Sequence, residues 1–191
     1  PSGVSGSSKL TKITEGAVSF DGTGDHLNIS DSTDFKFGTG DFTIEFWRYK
    51  TSVAVESYVA KFDTPGGSAT SDFWFGNVNG VEGFYYYEGT TSRNLSTESQ
   101  PLNTWAHLAV VRHNDYLTLY LNGKEVVSQS YSATFNNGSA NLGIGSDDTG
   151  SYPFEGFISN LRIVKGTALY TTDFTPPTRE LTNVTNTKLL C

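Results

Sequence analysis

Trp105-Ala-His-Leu-Ala-Val-Val-Arg-His-Asn-Asp-Tyr-Leu-Thr-Leu-Tyr-Leu-Asn-Gly-Lys-Glu-Val-Val-Ser128 is the stretch that decides the fold class. Trp105–Arg112 and Leu117–Leu121 read as strong strands. Leu117, Leu119 and Leu121 alternate with Tyr116, Thr118 and Tyr120, the period of two that puts one set of side chains on each sheet face. Asn122-Gly123 follows at once. A two-residue type I′ turn needs positive φ at both central positions, which Asn and Gly tolerate, so the chain must turn back as a hairpin into Glu125–Ser128.

Working outward, the same grammar repeats: short alternating runs broken by Gly, Asn, Asp and Ser. Ala17–Phe20 and His26–Ser30 flank the turn Asp21-Gly22-Thr23-Gly24. Phe42–Tyr49 is the clearest long strand, with Phe42, Ile44 and Phe46 on one face and Thr43, Glu45, Trp47 and Tyr49 on the other. Bulk on both faces places it inside a sandwich or on a concave surface. Ser57–Phe62, Phe73–Gly76, Gly83–Glu88, Asn141–Gly145 and Phe154–Val164 complete the set, with a loop at Pro65-Gly66-Gly67 and a turn near Asn77–Gly80. Gly166–Tyr170 is predicted as one helical turn before Phe174-Thr-Pro-Pro177. Many short strands at even spacing predict an all-β, antiparallel two-sheet jelly-roll sandwich.

Composition agrees. Aromatic residues make up 14% of the 191 residues, too many for a disordered chain. The formal net charge of −7 excludes the basic footprint that nucleic-acid binding needs, and no apolar run is long enough to insert in a membrane. The single cysteine, Cys191, permits no internal disulfide. Residues 1–10 read as linker and residues 11–191 as the domain. A start at Pro1, the absence of Met and an end at Cys191 read as one module of a longer protein.

Several phrases taken together carry a resemblance. Phe20-Asp21-Gly22 with Asp41-Phe-Thr-Ile-Glu-Phe-Trp47, then Trp105–Arg112 with Leu119-Tyr-Leu-Asn-Gly-Lys124, then Gly156-Phe-Ile-Ser-Asn-Leu-Arg-Ile163 resemble, in order and spacing, the laminin-G-like, concanavalin A-like lectin/glucanase domains. The tail from Ala168 through Pro177 to Cys191 is similar to modules in structural proteins of marine phages. The resemblance implies a jelly roll that binds glycans or proteins through rim loops or a concave face, with structural calcium frequent. The family often has Asp where this chain has Ser159, so no ligand is carried over there.

Bond-breaking chemistry is missing. Hydrolases of this superfamily place carboxylates as Glu-x-Asp-x-Glu on one strand, where period-two spacing gathers them. Glu45 and Glu56 stand alone here, and Glu82 and Glu88 are six apart. No nucleophile elbow, dinucleotide fingerprint or Cys/His cluster is present, so no enzyme is expected. Trp47 and Trp105 are expected in the core or at its edge, His107 as a satisfied histidine and Arg162 as an outward or ion-paired strand residue.

Binding is a different matter. Sugars present apolar C–H faces to aromatic rings and hydroxyls to polar groups. Candidates for a glycan are Trp74, Tyr85, Tyr87, Arg93, Asn94 and Tyr152, with Asn77 and Asn79 at a strand end. Tyr85 and Tyr87 share a face and Tyr86 points the other way, so one of those faces is core. The loop Asp147–Tyr152, with Asp147 and Asp148, is the best rim. Asp21 and Asp25 could hold a structural Ca2+, which takes six to eight oxygens, or simply cap their turn, as could Asp147 and Asp148. Sequons at Asn28, Asn94, Asn137 and Asn183 arise readily by chance in so Asn/Ser/Thr-rich a chain. The expected function is a non-catalytic carbohydrate-binding module of a larger surface or virion protein, extracellular or on the virion surface, with glycan or cell-surface polysaccharide as partner. The alternative is a structural or protein-interaction domain that contacts other virion or surface proteins.

Overall fold

A computed structural model describes residues 16–62, 73–88, 91–135 and 138–191. The expected linker 1–10, the Pro65-Gly66-Gly67 loop and Asn137 lie outside the described residues. The strands are β1 (Val18–Asp21), β2 (Leu27–Ile29), β3 (Phe42–Lys50), β4 (Glu56–Lys61), β5 (Phe73–Val78), β6 (Val81–Glu88) and β7 (Thr91–Ser99). They continue as β8 (Trp105–His113), β9 (Tyr116–Leu121), β10 (Lys124–Ser130), β11 (Leu142–Ile144), β12 (Glu155–Lys165) and β13 (Thr187–Leu190). One sheet runs β1-β12-β3-β8-β9-β10, with β13 also on β12; the other runs β2-β11-β4-β5-β6-β7. All pairings are antiparallel. The expected two-sheet antiparallel sandwich is what the chain forms.

Local chemistry sets the hairpins. Asn79-Gly80, Asn114-Asp115 and Asn122-Gly123 all have positive φ at both positions, as type I′ turns demand. Between the sheets, Phe42, Ile44 and Phe46 of β3, with Leu108 and Val110 of β8, meet Phe73 and Phe75 of β5 and Phe84 and Tyr86 of β6. Tyr86 points inward, and its hydroxyl receives a hydrogen bond from Gln129. Tyr85 and Tyr87 therefore face out.

Three features depart from the sequence reading. Residues 166–170 form no helix: Gly166 takes a φ of 88°, and the chain lies extended along β3, where Thr43 Oγ1 donates to Thr167 O and accepts from Leu169 N. Competing bonds from β3 and the following prolines remove the reason to coil. The only helical element among the described residues is a 3-10 turn at Thr33–Phe35. Strands β7 and β13 had no clear signature, because β7 is a polar edge strand that buries only Leu95 and Thr97. Among the described residues no helix is long and apolar enough to cross a membrane.

Candidate functional site

The two outer faces of the sandwich differ. The outer face of the β3 sheet is roofed by the segment 166–177. Tyr170 and Phe174 stack at 3.6 Å, and Phe174 meets the edges of His107 and Tyr120. Trp47 Nε1 donates to Pro177 O at 2.8 Å. Beneath this strap, Glu45 is fully buried. It accepts from Arg162 Nε (2.8 Å) and Nη2 (2.5 Å) and from the Tyr170 hydroxyl (2.8 Å), with His107 Nε2 at 3.1 Å. These partners hold the Glu45 carboxyl below the usual range against the opposing effect of burial. His107 is thus satisfied and Arg162 ion-paired, as expected. Trp47 is buried under the strap, not between the sheets. Trp105 is half-buried on the same outer face, in an open aromatic patch with Tyr49 (5.6 Å) and, beyond Tyr49, Phe157.

The outer face of the other sheet is open and aromatic. Residues opposite one another across a sheet project to the same side. One row crosses all six strands: Asn28, Gly143, Ala60, Trp74, Tyr85, Asn94. The neighbouring row is Ser57, Gly76, Gly83 and Ser96. Its glycines decide how the rings lie. A Cβ on Gly76 would meet the Trp74 indole at 2.6 Å, and one on Gly83 would meet the Tyr85 ring at 2.9 Å. With no side chains there, both rings lie close over the glycine floor. Trp74 and Tyr85 sit 4.8 Å apart, and Tyr152 closes on Trp74 at 6.1 Å. Tyr87 stacks on Phe62 beside them.

These rings enclose a cavity of about 240 Å³ completed by Val55, Val78 and Ser92. It is smaller than the space a drug-sized ligand fills and suits a group the size of one ring. Trp74 is only 8% exposed, and its Nε1 has no hydrogen-bond partner; nor has the buried Ser57 Oγ in the adjacent row. Burial raises the pKa of the Tyr85 hydroxyl, which keeps it a neutral donor.

The rim loop works differently from the sequence reading. Asp147 is fully buried, and its Oδ1 accepts from Thr149 N (2.9 Å), Thr149 Oγ1 (2.8 Å) and Ser151 N (2.8 Å). Its Oδ2 has no hydrogen-bond partner. Asp148 Oδ2 accepts from Asn141 N, and its carbonyl accepts from Asn28 Nδ2. Asp147 and Asp148 therefore shape the loop and do not line the cavity. Their product is Tyr152, held at a φ of 55° with its carbonyl accepting from Ser57 N at 2.8 Å. Arg93 also falls outside the cavity: it stands opposite Tyr86, on the inward side of β7, while Ser92 and Asn94 stand opposite Tyr87 and Tyr85. Asn77 is buried and bonded to Lys50, and Asn79 is a turn residue. The members sequence reasoning missed, Phe62, Val55, Val78 and Ser92, carry no signal beyond strand periodicity.

Asp21 Oδ1 accepts from Thr23 N at 2.8 Å, the bond that lowers its pKa, and Asp25 is exposed. Among the described residues no three Asp, Glu, His or Cys side chains gather in one place. Carboxylates do meet across strands at one end of the sandwich: Glu56 and Glu82 both stand opposite Asn77. Both are buried and face inward, Glu82 at 2.6 Å from Arg48 and bonded by the Tyr58 hydroxyl.

Comparison with known proteins fits this architecture. A family model described as the concanavalin A-like lectin/glucanases superfamily, of laminin G type, matches residues 21–171. No curated protein sequence matches the chain significantly. Among solved structures, domain 4 of an extracellular GH43 arabinanase from Geobacillus stearothermophilus, in complex with arabinotriose, is similar at a TM-score of 0.59 and 18% identity, covering 80% of this chain and 71% of that one. The CBM40 of a Ruminococcus gnavus IT-sialidase, bound to α2,3-sialyllactose, gives 0.62 and 17%, covering 82% and 92%. Domains LG4-5 of the mouse laminin α1 chain give 0.59 and 16%, covering 82% and 44%. At such identities the likeness is one of fold. The family match, over the strands that build both sheets, makes this chain a member of the concanavalin A-like lectin/glucanases superfamily in its laminin G-type branch.

Proposed function

We propose that the chain is a non-catalytic carbohydrate-binding module, and that it holds glycan on the open face formed by Trp74, Tyr85, Tyr87 and Tyr152. The observation that carries this is the glycine floor, over which the Trp74 and Tyr85 rings lie as walls of a cavity the size of one sugar. Aromatic faces present a rigid, low-entropy surface to the C–H side of a sugar. The arabinotriose and sialyllactose complexes of similarly folded domains support the reading at the level of the fold. The buried, ion-paired state of Glu45 and Glu82 supports a binding role over hydrolysis. In this proposal the module belongs to a larger extracellular or virion-surface protein. Affinity electrophoresis in a panel of soluble polysaccharides tests it: the native chain is retarded by at least one and Trp74→Ala by none. Equal mobility of both in every gel overturns it.

One observation favours a protein-interaction role instead. Tyr49, Trp105 and Phe157 form an aromatic patch on the opposite face, with Phe157 38% exposed. Loss of a protein partner in Phe157→Ser, with Trp74→Ala unaffected, would support that reading.

A further inference from the structure

We infer that the Trp74 cavity selects an uncharged sugar residue, seated by its C–H face on the rings. The inference rests on the glycan-binding reading above and narrows it to a ligand class.

The first ground is charge. Among the described residues, none that lines the cavity is ionised: they are Trp, Tyr, Phe, Val and Ser. The sheet's strands carry two cations among the described residues, and both point away. Lys61 lies opposite Phe73 on the core side, its ammonium held by Gly138 O (2.7 Å), Ala140 O (2.9 Å) and Asp31. Arg93 lies opposite Tyr86, on the same inward side. The stretches that follow Phe62 and Glu88 in sequence, 63–72 and 89–90, contain Asp63 and Asp72 and no Lys, Arg or His. A carboxylate sugar would enter a low-dielectric cavity with no cation to pair with, in a chain of net charge −7. An unpaired charge so placed is strongly disfavoured.

The second ground is the polar complement of the wall. Ser92 and the tyrosines that line it carry hydroxyls, uncharged groups that can donate to or accept from a sugar hydroxyl. Burial raises the pKa of the Tyr85 hydroxyl and so keeps it neutral.

Matched probes test this: lactose against α2,3-sialyllactose, and galactan against polygalacturonate, by calorimetry at low and high salt. The neutral member of each pair binds at least about ten-fold tighter, with an affinity that salt leaves unchanged, since no ion pair is there to screen. Ser92→Arg, on the exposed edge strand, brings the charged member up to or beyond the neutral one. If the charged member binds as tightly to the native chain and Trp74→Ala abolishes both, the inference fails while the glycan-binding reading stands. If no member of either pair, and no polysaccharide in the gel panel, binds, both fall.

Discussion

Replacing Glu56 with Gln should make the protein more stable at alkaline pH and leave it nearly unchanged at pH 5. Glu56 is 1% exposed; its Oε1 accepts from Glu155 N at 3.2 Å, and its Oε2 has no partner. Burial, above all, and then the neighbouring Glu155 charge raise its pKa from 4.5 to about 7, against the opposing pull of the Glu155 and Ser52 hydrogen bonds and of Lys50. The native state therefore keeps a proton that the unfolded chain has released between those two values. Stability from this group is fully present below 4.5 and is lost as pH rises through 7. The full shift corresponds to about 3 kcal/mol, and partial solvent relaxation around the carboxyl brings the expected figure nearer 2 kcal/mol. For a chain this long that is a change in Tm of about 4–8 °C. Urea unfolding of both proteins at pH 5.0 and 8.5 measures it. The native curve should fall with pH relative to Glu56→Gln, and the two should converge at pH 5. A constant gap at both pH values, or a less stable variant at pH 8.5, would refute the reasoning.

The remaining predictions concern the floor, the strap and the rim. Gly83→Ala places a methyl 2.9 Å from the Tyr85 ring and 3.0 Å from Leu95 O, so calorimetry should show glycan affinity falling about ten-fold for a stability loss near 1 kcal/mol. Glu45→Leu leaves the buried Arg162 without its anion and should cost about 3–5 kcal/mol in denaturant titration. Asp147→Ala removes three hydrogen bonds that hold the loop carrying Tyr152 and should weaken glycan binding although Asp147 touches no ligand. Calcium and chelator should leave that binding equal, because among the described residues no carboxylate lines the cavity.

What was legible in the sequence follows physical lines. The hairpins at Asn79-Gly80 and Asn122-Gly123 could be read because their turn chemistry is local. The facing of Tyr85, Tyr86 and Tyr87 followed from strand period alone. Four of the aromatic candidates, Trp74, Tyr85, Tyr87 and Tyr152, do converge. Arg93 and the two aspartates do not, since the sense of a residue on an edge strand depends on register. The side-chain partners of a loop carboxylate likewise depend on where the loop folds back. The strap over Glu45 was hidden too: Tyr170 and Glu45 are 125 residues apart, and nothing local announces that a tail will roof a sheet. The role of Gly76 and Gly83 as a floor for rings was equally invisible, because a strand glycine reads as a weakness until its neighbours across the sheet are known.

The three tryptophans provide the most direct test. Each indole N–H gives its own signal in a proton–nitrogen spectrum, and the three occupy different places: Trp74 unpaired in the cavity, Trp47 bonded to Pro177 beneath the strap, and Trp105 on the opposite face. Titration with neutral oligosaccharides from arabinan, xylan and galactan should shift the Trp74 signal with at least one of them and leave the other two in place. A shift confined to Trp105, or no shift at any indole under saturating sugar, would contradict the account.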